Sequence, residues 1–151
     1  MIAEWAAGLA ASPLSRAVAA STWAYPAANV AHLMGLLLAL GSVLVLDLRL
    51  LGAGRHLPFP TLSEALAPFI TAGFTLAAAS GLVMALADPV TLARSPMLAP
   101  KFGLIALALL NALAFRRLGV RPHPARAARH AFASLLLWAG AVTAGRLIGY
   151  L

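Results

Sequence analysis

The chain has 151 residues, of which 62% are hydrophobic and only 10% charged, with a mean hydropathy of +0.92. Soluble domains carry about 25% charged residues, so a water-soluble globule of this size could not hide so much apolar surface. Scarce charge excludes intrinsic disorder, and zero cysteines exclude a disulfide scaffold, thiolate metal sites and cysteine nucleophiles. The net charge of +7 does not point to nucleic acid, because the arginine run from Arg116 to Arg129 contains no aromatic residue to stack on bases. A basic cluster beside an apolar segment is instead the mark of a cytoplasmic membrane flank.

Taken in chain order, the first 24 residues read as an interfacial segment and residues 25–151 as a transmembrane domain. Met1-Ile2-Ala3-Glu4 lacks the positive start of a signal peptide, and Ser12-Pro13 interrupts any long helix. Ile2, Trp5 and Leu9 share one helical face, and Leu14 and Val18 another. One or two short amphipathic helices over 2–20 are expected in the interface, with Trp5 and Trp23 as headgroup anchors.

Four spans follow, at about 27–46, 65–87, 101–118 and 131–151, each close to the roughly 20 residues that cross a hydrocarbon core. Pro68 falls in the first turn of the second span, where proline is tolerated. The predicted fold is thus an all-α, polytopic bundle of four transmembrane helices. The connections after spans one and three hold Arg49, Arg55, Arg116, Arg117, Arg121, Arg126 and Arg129; the opposite side holds Arg16, Arg94, Lys101 and Arg146. The positive-inside rule then places both termini on the periplasmic side of a bacterial inner membrane.

Among polar residues His32 stands out. Gly35, Leu36, Ala39, Ser42 and Val43 lie on or beside its face, so the imidazole should look into the bundle. An ionisable group within a span is a functional hypothesis by default; the structural alternative is a neutral ring bonded to a carbonyl or to Asn29, clamping two helices. Lys101, Arg146 and Met84 are expected at the same outer level. His32, Asn29, Lys101 and Arg146 would form a cationic pocket suited to an anionic headgroup, a carboxylate, a quinone carbonyl or haem propionates. The alternative is that Lys101 and Arg146 snorkel to the interface. His32 with Met84 and Met97 is a soft donor set suited to Cu(I), although helical methionines more often pack than ligate and Lys101 and Arg146 would repel a cation. His130 opens span four at the far surface, and His56 and His123 lie in inner loops, so b-type haem would need His32 with Met84, or two His32 residues meeting in a dimer.

Asn111, midway through span three, is expected to bond another helix, and Asp47 to pair with a basic residue of the other inner loop. Gly73, Ala77 and Gly81 form a small-residue stripe for close packing. The four acids do not converge with His32, and no phosphate-binding or dinucleotide motif occurs, so catalysis by the chain alone is not expected.

Trp23-Ala24-Tyr25-Pro26, His32, Gly35, Gly41-Ser42 and Asp47-Leu48-Arg49-Leu50-Leu51-Gly52 together resemble a bacterial family of small four-helix integral membrane proteins. Lys101 after a proline, Asn111, Trp138 and Gly145-Arg146 extend the resemblance over nearly the whole chain. That family is loosely similar to copper-resistance-type membrane proteins, and its members often carry Glu where this chain has Asn29. The resemblance implies the fold and points to Asn29, His32, Lys101 and Arg146; it implies no activity. The sequence therefore supports a binding or accessory subunit, contacting lipid and either a membrane-protein partner or a second copy. A haem- or copper-handling redox subunit and a purely structural subunit are the alternatives.

Overall fold

The computed structural model describes residues 2–117 and 123–150, with side chains from residue 4 onward. The expected span ends at Leu118 and Leu151, and Arg121 of the inner loop, lie outside the described residues. Within them the chain is all-helical: α1 (Ile2–Ala10), α2 (Pro13–Ala20), α3 (Ala24–Leu51), α4 (Phe59–Ala87), α5 (Pro89–Arg94), α6 (Leu98–Arg116) and α7 (Pro124–Leu147). Three of these, α3, α4 and α6, are long and apolar enough to cross a membrane.

Local chemistry sets the boundaries. Ser12 caps α2 by accepting from the Ser15 N–H, and Asp88 caps α5 through the Thr91 N–H, each followed by a proline at the first helical position. Gly52 ends α3 at φ 112°, a left-handed position that favours glycine, and the Ala53 N–H closes back on the Leu48 carbonyl. The observed helices run past the predicted spans: α3 includes Asp47 and Arg49, and α7 begins at Pro124 rather than near Ala131. Arginines on those turns are exposed or half-buried, so they leave the helix without entering its seams.

The packing is inverted relative to a soluble domain. Among the described residues the buried hydrophobic side chains of the long helices are alanines and no large side chain is fully buried, while Leu33, Leu37, Leu82, Phe102, Leu110, Phe132 and Leu136 are more than half exposed. An apolar shell of this extent around a core of small residues fits lipid as solvent. Helix α4 lies against α3, α3 against α7, and α7 against α6.

The α3–α4 seam is the tightest. A Cβ added to Gly35 would stand 2.6 Å from the Ala77 nitrogen, and one added to Gly73 2.5 Å from the Ala39 nitrogen. Backbone meets backbone there, which only glycine permits. Aromatic contacts tie α4 to the other pair: Phe74 packs on Trp138 of α7 and Phe59 on Phe115 of α6.

The N-terminal helices sit at the α4–α5 end. Trp5 and Trp23 are 69% and 79% exposed. The face of α2 turned to the protein is not the Leu14/Val18 face: Ser15 is buried and donates to the Leu86 carbonyl, and Leu14 is exposed. The apolar side of α2 is thus free to contact lipid.

Candidate functional site

His32 lies in the α3–α4 seam, in the half nearer the start of α3. Its Nδ1 lies 2.7 Å from the Ala77 carbonyl oxygen and 3.4 Å from the Ser80 hydroxyl. Ser80 donates to the Leu76 carbonyl at 2.6 Å, which spends its single proton. A carbonyl can only accept, so Nδ1 must carry the proton and donate. In the neutral ring Nε2 is then a bare lone pair. The ring lies close enough to α4 that a Cβ at Gly81 would stand 3.3 Å from its Cε1. The small stripe of α4 therefore has two tasks: Gly73 and Ala77 bring the helices together, and Gly81 leaves room for the imidazole.

Nε2 has no hydrogen-bond partner among the described residues. It is not sealed either, since among the described residues the buried side-chain polar atom without a partner is Asp47 Oδ2. His32 is half-buried, with one nitrogen committed to the seam and the other available at its edge.

Of the residues expected around it, Asn29 does not hold the ring; Ala77 and Ser80 do. Met84 lies on the α4 face of Ala77, Ser80 and Gly81, one turn beyond Ser80. Lys101 is half-buried against α7, where a Cβ at Gly145 would be 3.4 Å from its Cε, and its ammonium is 6.0 Å from the Phe102 ring centre. Arg146 is exposed, donates to the Tyr150 hydroxyl at 2.7 Å and stacks 4.9 Å from that ring. His32 thus belongs to the α3–α4 seam, and Lys101 and Arg146 to the α6–α7 pair.

A second polar cluster lies at the opposite end. Asn111 of α6 donates to the His130 carbonyl at 2.9 Å and accepts at 2.7 Å from His130 Nδ1 on α7, so the expected interhelical bond is a reciprocal pair. Phe115 packs on the His130 ring. The partner was not legible, because His130 reads from sequence as a surface residue opening a span.

Asp47 is 6% exposed and interacts with the Ser134 hydroxyl of α7; among the described residues no basic side chain pairs with it, and Arg121 of the expected loop lies outside them. Arg49, two positions on, faces the other way and donates to the Leu57 carbonyl at 2.7 Å and the Arg55 carbonyl at 3.1 Å.

As to metal chemistry, no group of three His, Asp or Glu side chains converges among the described residues. The donor set at the seam is one imidazole with a free Nε2 and, one turn away, one thioether. Two clefts are present elsewhere: an apolar groove along α3 and α4 bordered by Met34, Leu38, Ser42, Val45 and Leu66, and a cleft between the end of α3 and the start of α7. No family model matches the chain, nor does any curated protein or solved structure.

Proposed function

We propose that this protein is a binding or accessory subunit of the bacterial inner membrane that engages its ligand or partner through His32, near the periplasmic surface. The observation carrying the reading is the Nδ1 bond to the Ala77 carbonyl. It fixes the tautomer and leaves Nε2 as an oriented acceptor. Such an acceptor suits an O–H or N–H donor from a neighbouring membrane helix, or a metal ion. It does not suit a carboxylate, a propionate or a quinone carbonyl, which need a donor.

The topology belongs to this proposal. α7, with 24 residues, lies between α3 and α6, and its seam positions Ala127, Ala131, Ser134, Ala141 and Ala144 are buried. That pattern supports a fourth span with less lipid contact than the others. The arginine-rich connections support a cytoplasmic placement of the α3–α4 and α6–α7 ends and periplasmic termini.

The second reading is a redox or metal-handling subunit. It is favoured by the same bond, because a backbone carbonyl on Nδ1–H is a common outer partner of a metal-bound histidine. His32 Nε2 would supply one ligand to copper or b-type haem, with Met84 or the His32 of a second copy as the other.

One experiment separates these readings. Detergent-solubilised membranes bearing wild-type or His32→Ala protein are sized, and the purified proteins are analysed by absorption spectroscopy and for metal. The binding reading expects a larger assembly that His32→Ala loses while staying folded. A Soret band or stoichiometric copper, lost in the same variant, would decide for the redox reading. Identical assemblies with neither signal would leave His32 as a helix clamp and refute both.

A further inference from the structure

A second site lies at the other end of the bundle. Between the end of α3 and the start of α7 is a cleft of about 560 Å³, bordered by Arg49, Gly52, Arg55, Pro124, Ala125 and Ala128. Its construction begins with Arg49, whose guanidinium donates to the Leu57 and Arg55 carbonyls and straps the connecting turn against α3. That turn carries Arg55 back over Gly52. A Cβ at Gly52 would stand 3.0 Å from Arg55 Nη2 and 3.1 Å from Nε, so the missing side chain is what gives the guanidinium its seat.

The charge in this cleft is not neutralised. None of the bordering residues is acidic, and among the described residues the Arg55 guanidinium makes no hydrogen bond or ion pair. Its planar fork of donors is therefore open, a geometry matched to two oxygens of a phosphate. The start of α7 adds the positive end of a 24-residue helix, and exposed Arg126 and Arg129 flank the lining alanines in sequence. The remaining wall is apolar: Leu50, Leu51, Pro124 and the alanines. A free inorganic anion gains nothing from such a wall; a lipid does.

We propose that this cleft binds the phosphodiester of an anionic phospholipid, with Arg55 as the direct ligand and Arg49 holding both the turn and part of the charge. A zwitterionic headgroup would bring its own cation into a site already rich in arginine, so anionic lipids are selected. The inference needs the chain to lie in a bilayer, but it is independent of the role given to His32.

The test uses full-length protein in detergent, titrated with phosphatidylglycerol, phosphatidylcholine or inorganic phosphate while thermal unfolding is followed. Wild-type protein should respond to phosphatidylglycerol at roughly tenfold lower mole fraction than to phosphatidylcholine, as expected for a charge-assisted, two-oxygen contact. Arg55→Gln and, separately, Ala125→Glu should remove that difference; Arg94→Gln, at the opposite end of the molecule, should keep it. Loss in Arg94→Gln as well would reduce the effect to diffuse charge and overturn the site. So would unchanged selectivity in Arg55→Gln. Displacement of phosphatidylglycerol by millimolar inorganic phosphate would assign the cleft to a free oxyanion and overturn the lipid assignment.

Discussion

Replacing Gly35 by alanine tests the α3–α4 seam at its tightest point. The new methyl group would lie 2.6 Å from the Ala77 nitrogen and 2.7 Å from the Gly73 carbonyl oxygen, both backbone atoms that cannot rotate away. Restoring ordinary contact requires the two helices to part by about 0.8 Å, and overpacking of this kind costs about 1–3 kcal/mol. The same displacement stretches the His32–Ala77 bond from 2.7 Å toward the limit of hydrogen bonding. Alanine also gains up to about 1 kcal/mol in helix propensity over glycine, which would mask part of the loss. Gly41→Ala supplies the control, because a Cβ there meets nothing within 4 Å in the same helix. The difference in unfolding free energy between the two variants, measured by denaturant titration in detergent, should therefore fall at about 1–3 kcal/mol against Gly35→Ala. Equal stabilities would show that α3 and α4 are not in backbone contact, and the seat of His32 would go with that contact.

Other outcomes follow from the polar groups in the bundle. Asp47→Asn should be neutral or stabilising in the same titration, since the carboxylate is buried with Oδ2 unpartnered and an amide can keep the Ser134 contact without the charge; marked destabilisation would mean that the charge itself is needed. Asn111→Leu should lose about 1 kcal/mol, the scale of interhelical hydrogen bonds in membranes, by leaving the His130 ring and carbonyl without their partner; a variant as stable as wild type would refute the pairing. Cysteines introduced at Ala93 and Arg126 should react from opposite sides of sealed vesicles, and reaction of both from one side would refute the four-span topology.

The residues that announced themselves in sequence did so through spacing. Gly73, Ala77 and Gly81 recur every fourth residue and do form a packing face, and the apolar runs within α3, α4 and α6 mark helices long enough to span a membrane. Interfacial turns were less legible: α3 continues through Asp47 and Arg49, because a charged side chain at a helix end can lie outside the seam or, as with Asp47, find a hydroxyl inside it. The short helix α5 is absent from the sequence reading, although Asp88-Pro89 is a capping pair. Partners of the polar side chains were mostly hidden. His32 binds a backbone carbonyl, a group every residue carries, so nothing in the composition of α4 pointed to Ala77. Lys101 lies against Gly145, next to Arg146 in sequence, but counting along spans cannot tell which seam a side chain enters, and Gly145 gives Lys101 its place on α7.

The tautomer of His32 carries the functional account, and nitrogen NMR of the histidine-labelled protein in lipid bilayers reads it directly, with His32→Gln identifying the signal among the four histidines. The neutral ring should carry its proton on Nδ1 and be bare at Nε2. A neutral ring protonated at Nε2 would contradict the seat on the Ala77 carbonyl.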